Sequence, residues 1–156
     1  MTRSCCAVAC CGAALVLLSN GVNGEERKDS GPRVKFEIRL AEKEPAEGLE
    51  EMVAPKTEVK IYVRKPAAVS NADIAEARAV KNILQQPAVE VVFVKASRKR
   101  IAEFSKGNIG KIAAIFIDGK LVSAPVIRAD FSEKTEIWGD FTQKEAERIA
   151  KGIKAE

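Results

Sequence analysis

The sequence predicts an α+β fold, with helices packed on a mainly antiparallel sheet. Three observations carry that prediction. Segments of two-residue alternation (33–40, 59–63) coexist with segments of helical spacing (142–153). An Asp-Gly pair at 118–119 joins two apolar runs, the strongest short hairpin signal, because both turn positions require positive φ. The elements follow one another as β-β-α and then β-α-β-β-β-α, with no internal repeat and no long low-complexity segment.

The elements are justified in turn. Val34, Phe36, Ile38 and Leu40 alternate on one face of a half-buried strand. The acidic stretch 41–55, bounded by Pro45 and Pro55, reads as a loop. Val59, Ile61 and Val63 form a second strand, closed by Lys65-Pro66. Ser70-Asn71-Ala72-Asp73 has the acidic third position of a helix start, and Ile74, Ala77 and Val80 would be the buried stripe of that helix. Ala88 to Val94 is rich in β-branched residues and predicts a strand. Ser97 is placed to cap a helix that buries Ile101 and Phe104 and stops at Gly107. Ile112 to Ile117 is apolar throughout, so both of its faces should be covered. Leu121 to Ile127 continues from the turn as a strand that Ala124-Pro125 interrupts, and Lys134 to Trp138 predicts one more. Thr142-Gln143-Lys144-Glu145 is a capping box, and Ala146, Ile149, Ala150 and Ile153 share one helical face behind it.

The N-terminus has a different character. Arg3 precedes a charge-free run from Cys5 to Leu18, and small polar residues lead to Glu25-Glu26-Arg27-Lys28. This is the pattern of a secretory signal peptide, with Val22 and Gly24 at the two positions a signal peptidase reads. We therefore expect residues 1–24 to be a signal peptide cleaved after Gly24. Residues 25–32 would be a flexible lead-in and 33–153 a single domain. A retained membrane anchor is the competing reading, although the run is shorter than the roughly 20 residues that span a bilayer. Export to a periplasmic or other extracytoplasmic space follows, with no stable membrane insertion once the signal is cleaved.

All four cysteines (Cys5, Cys6, Cys10 and Cys11) fall inside that signal, so a disulfide framework is not expected. Cleavage removes Arg3 and no acid, taking 26 basic residues to 25 against 22 acidic, a net charge of +3. The charges are well mixed, unlike the basic face of a nucleic-acid binder, and no nucleic-acid partner is expected. The densest basic cluster, Lys95 to Arg100, has no interleaved aromatics and reads as a solvated helix start, with some room for an anionic contact.

Catalytic chemistry is scarce. The chain has no histidine, which removes His-based triads, and without cysteine beyond residue 11 nearly every structural zinc arrangement goes too. Ser123 has lysines available in the sequence, but nothing beyond chance pairs them as a hydrolytic centre. Asp73, Glu76, Asp118, Asp130 and Asp140 show no metal-loop spacing, and Asp118 has a sufficient role in its turn with Gly119. We expect no enzyme, no metal and no cofactor.

Several runs resemble the first periplasmic domain of the SecD family of protein-export subunits. They are Asn108-Ile109-Gly110-Lys111, Ala114-Ile115, Asp118-Gly119-Lys120 and Ser123-Ala124-Pro125-Val126-Ile127. The likeness continues through Ile137, Gly139, Phe141-Thr142 and Glu145-Ala146. Upstream it takes in Asn71-Ala72-Asp73-Ile74, Ala77-Arg78 and Pro87-Ala88-Val89, so it covers roughly 70–153. The resemblance implies a ferredoxin-like head subdomain, here without the family's transmembrane part and its proton coupling. The family's glycine-rich loop after this SAPVI run is replaced by Arg128 to Lys134.

The resemblance implies binding of non-native polypeptide or of a partner in the export machinery. An extracytoplasmic interaction or regulatory module, reusing the head fold for an unrelated partner, is the alternative. Because proline cannot donate to a sheet ladder, Pro125 belongs on an edge strand or at a bulge. The candidate binding residues are therefore Leu121, Val122, Ser123, Ala124, Pro125, Val126 and Ile127, an apolar edge able to receive an extended polypeptide. Protection of that edge against aggregation is the competing explanation for the proline.

Overall fold

The computed structural model describes residues 34–131 and 133–153. The expected signal peptide, its expected cleavage after Gly24 and the expected lead-in lie outside the described residues.

All strand pairs are antiparallel, and both helices pack with them around shared cores, as the α+β prediction requires. One sheet has five strands in the order β2-β3-β1-β6-β7: β1 is Phe36–Glu42, β2 Leu49–Val53, β3 Lys60–Ser70, β6 Ile112–Ile117 and β7 Lys120–Ser123. A second sheet has three, in the order β4-β5-β8: Ile74–Lys81, Pro87–Phe93 and Lys134–Trp138. The strands thus form two antiparallel sheets rather than one. Helix α1 spans Lys95–Lys106 and α2 Gln143–Ile153.

The main core takes side chains from both sheets and both helices. Phe36, Ile38, Ile115, Val91, Phe93, Ile101, Ile137 and Ile149 all contribute. On the other face of the five-stranded sheet, Ile112, Ala114 and Phe116 alternate into a smaller cluster with Ile61, Val63 and Leu121. All six residues of β6 are therefore buried, as a strand covered on both faces must be.

Four sequence expectations are corrected. The stretch 41–55 is not simply a loop: β1 runs on to Glu42, and β2 occupies Leu49–Val53. No β2 side chain is fully buried, so this edge strand has no apolar alternation to betray it; backbone pairing with β3 defines it. Lys65-Pro66 does not close β3, which continues to Ser70. Pro66 falls where the β1–β3 register jumps from Ala41↔Val63 to Arg39↔Ala67, an irregularity that absorbs its missing donor.

The expected helix after Asn71 is instead one 3-10 turn, Asn71–Asp73, followed by strand β4. The Ile74–Ala77 spacing of three looked helical. It arises because a bulge between Ile74 and Glu76 adds a residue, so both side chains reach the core from one strand. Lastly, Ser97 does not cap α1. The helix begins at Lys95 after Val94, and the Ser97 hydroxyl donates to Asp73 Oδ1 at 2.6 Å.

The joints between sheets are polar and satisfied. Asn71 Nδ2 donates to Val34 O (2.9 Å) and Ile153 O (3.0 Å), while its Oδ1 accepts from Phe36 N (2.7 Å). One side chain thus ties the start of β1 to the end of α2. The capping box of α2 forms as read: Thr142 N donates to Glu145 Oε2 at 2.8 Å, and Glu145 N to Thr142 Oγ1 at 3.2 Å.

A candidate polypeptide-binding edge

The edge is built from the β6–β7 hairpin. Asp118 and Gly119 have φ of 51° and 78°, as the turn requires. Asp118 also locks the hairpin to β1. Its N–H donates to Lys35 O at 2.8 Å, and its Oδ1 accepts from Lys35 N at 2.9 Å. Among the described residues β7 pairs with β6 alone and forms one edge of the five-stranded sheet.

Beyond Ser123 the pairing with β6 persists. Ala113 N donates to Pro125 O at 2.9 Å and Ile127 N to Lys111 O at 2.8 Å. These bonds flank the Ile112–Val126 bridge, making it a non-hydrogen-bonded pair. The N–H and C=O of Val126 therefore point away from β6, along the open edge. Pro125 faces the opposite way. The donor it lacks would have pointed at β6, so the interruption is internal and the outer edge is not blunted by it. The missing donor therefore does not shield the outer edge from pairing, which was the competing explanation for the proline.

The seven candidate residues divide by side chain. Leu121 and Ile127 are buried, one in each core cluster, and serve packing. Val122 packs partly against the main core and Ala124 against the smaller one. Ser123 is partly accessible, Pro125 is exposed and Val126 is 41% exposed. What can touch a partner is thus Ser123 to Val126 together with the outward backbone of Val126. Past Ile127 the chain is fastened to α1, where the buried Ser105 Oγ accepts from Phe131 N at 2.9 Å.

Two of the four bases in the basic cluster are committed inside the protein. Arg98 Nε donates to Phe93 O at 3.1 Å, and its guanidinium pairs with Glu133 at 2.8 Å. Arg100 donates to Ala68 O at 2.6 Å and pairs with Asp73. Arg98 and Arg100 thus already have acidic partners within the protein, while Lys95 and Lys99 are exposed. Burial opposes the charged form of Asp73, but hydrogen bonds from Ser97, the Ser70 N–H and Arg100 outweigh it and hold its pKa below the usual carboxylate value. That negative charge also offsets the bases gathered at the α1 N-terminus.

Two surface features escaped the sequence reading. A cleft of about 360 Å³ lies between the β3 irregularity and the end of α1, lined by Leu40, Arg64, Pro66, Ala67, Phe104 and Lys111 among others. Its cations are occupied, since Arg64 and Lys111 both pair with Glu42. The second is the β4–β5 turn. Asn82 is buried and its Oδ1 accepts from Leu84 N (2.9 Å) and Gln86 N (3.0 Å). This rigid turn holds Ile83 and Leu84 out in solvent, 84% and 63% exposed. The adjoining Ile-Leu, between Asn and two glutamines, was the available signal.

Among the described residues no group of His, Cys, Asp or Glu is arranged to hold a metal ion, and no buried side-chain polar atom lacks a partner. No described helix is long and apolar enough to cross a membrane.

Fold and edge together define an antiparallel α+β domain in which β7 is an outer strand of the five-stranded sheet. Residues 47–156 match the family described as SecDF, P1 head subdomain, and the chain belongs to that family. It is 38% identical over 88 residues to the protein translocase subunit SecD of Aquifex aeolicus, covering 56% of this chain and 18% of that protein. It is 38% identical over 86 residues to SecDF of Thermus thermophilus, covering 54% of this chain and 12% of that protein. The chain thus spans less than a fifth of the length of either relative. A solved SecDF described as a membrane component that enhances protein export superposes over 79% of this chain and 63% of its own, with TM-score 0.61 and 27% identity.

Proposed function

We propose that this chain is an extracytoplasmic, non-enzymatic accessory domain of protein export that holds an extended segment of non-native polypeptide, or of an export partner, along the Ser123–Val126 edge. The observation that carries the reading is the Ile112–Val126 pair, whose hydrogen-bond pattern leaves the Val126 N–H and C=O directed outward beside exposed Pro125. A guest strand would pair with those groups, and backbone pairing supplies affinity without requiring one sequence. Membership of the SecDF head family and the export role stated for its solved relative support the setting.

The test is a titration of a labelled, unfolded polypeptide against wild type and Val126→Pro. Proline at 126 removes a donor the fold does not use, so the domain should stay folded while binding weakens several-fold. Equal binding by a folded Val126→Pro protein contradicts the edge. No binding by wild type removes the polypeptide-holding role and leaves a module for a different partner.

A further inference from the structure

Strand β4 is an outer strand of the three-stranded sheet; among the described residues it pairs only with β5, while α2 packs against it. Its middle reads Glu76-Ala77-Arg78. Ala77 faces the core, and the flanking charges lie on the opposite face. Glu76 makes no ion pair among the described residues. Arg78 uses Nε to bind Glu90 Oε1 at 2.7 Å, and its Nη nitrogens donate to no acceptor among the described residues. An unpaired carboxylate and a half-used guanidinium thus sit two residues apart on an open strand.

We propose that β4 pairs antiparallel with β4 of a second copy of this chain, about a two-fold axis through Ala77. That register places Glu76 of each copy opposite Arg78 of the other, so the same short sequence supplies both halves of two equivalent ion pairs. It joins two three-stranded sheets into one continuous sheet and satisfies two open edges at once. It also carries the Asn82–Gln86 turn of each copy past the start of β4 in the other, toward exposed Ala72. Ile83 and Leu84, both exposed among the described residues of one copy, then gain apolar surface to cover.

The other outer strand of this sheet is less suited. Lys134-Thr135-Glu136 in β8 has a similar charge alternation, but Lys134 is bound to Glu90 at 2.7 Å and Glu136 to Trp138 Nε1 at 2.9 Å.

The test is sedimentation equilibrium of the purified full chain. Wild type should reach a closed dimer. Glu76→Arg places like charges opposite one another at both symmetry-related positions and should weaken self-association about tenfold or more. Arg78→Glu should do the same, yet an equimolar mixture of the two variants should dimerise, because every facing pair is then opposite in sign. If Arg78→Glu fails to fold beside Glu90, Glu76→Arg compared with Glu76→Gln gives the answer, the arginine being the more monomeric and its deficit shrinking at high salt. A monomer at every concentration, wild-type dimerisation by Glu76→Arg, or an open series of oligomers from β4–β8 pairing overturns the proposal.

Discussion

The Ser97 hydroxyl donates to Asp73 Oδ1 at 2.6 Å across 24 residues of sequence, and Arg100 reaches the same oxygen. Asp73 ends the 3-10 turn that leads from the five-stranded sheet into β4, and Ser97 and Arg100 lie in the first two turns of α1. This one buried carboxylate therefore fixes α1 against the crossing between the sheets. Asp73→Asn keeps the size and loses the charge, leaving Arg100 underpaired. We expect a loss of about 2 kcal/mol, in line with charge-assisted hydrogen bonds, measured by urea unfolding.

The same interaction sets an acid limit. Folding lowers the pKa of Asp73, and that of Glu90 is lowered by Lys134 and Arg78. Their stabilising contributions are complete above the ordinary carboxylate pKa values of about 4 and are lost as pH falls through the depressed folded values. Stability measured from pH 7 downward should decline through the acid range, and Asp73→Asn should flatten that decline. An acid limb identical to wild type would show that Asp73 does not titrate with folding.

Gly119 tests the turn alone. Its φ is 78°, and a Cβ built there meets nothing within 4 Å, so Gly119→Val should act purely through the backbone. The cost should be about 1–2 kcal/mol, and Gly119→Asn should recover much of it because asparagine tolerates the left-handed region. Equal losses for the two would mean that something other than φ is at issue.

Gly152 tests packing against helix propensity. Gly→Ala inside a helix ordinarily stabilises by about 1 kcal/mol. Here a Cβ would collide with Val34 Cγ2 and stand 2.9 Å from the Val34 backbone N. Overpacking of this kind costs about 1–3 kcal/mol, so Gly152→Ala should lower the melting temperature despite the propensity gain.

Much of this fold was legible because burial and period agreed. β1 and β6 announced themselves by alternation and by an unbroken apolar run, and the Asp118-Gly119 turn and Thr142–Glu145 box form as their chemistry dictates. The failures share a cause: pairing partners that the local pattern does not encode. The bulge in β4 imitates a helical stripe, and β2 is held by backbone bonds beneath exposed side chains. At the candidate edge, the sequence assigned Pro125 to an edge strand or a bulge. It did not reveal that the missing donor points inward, or that Leu121 and Ile127 are spent on the cores, because both depend on the register with β6.

The N-terminal reading has its own check. Sequencing of the exported protein should begin at Glu25; an intact N-terminus recovered with membranes would favour the anchor instead.

The central claim is most directly tested at one amide. Val126 N–H points away from β6 and is predicted to exchange quickly in the free protein. With unfolded polypeptide bound, residue-resolved hydrogen exchange should show Val126 strongly protected while amides in Lys95–Arg100 are unchanged. Unaltered exchange at Val126, with new protection at the α1 N-terminus and steep salt dependence, would contradict the edge and move the contact to the basic helix start.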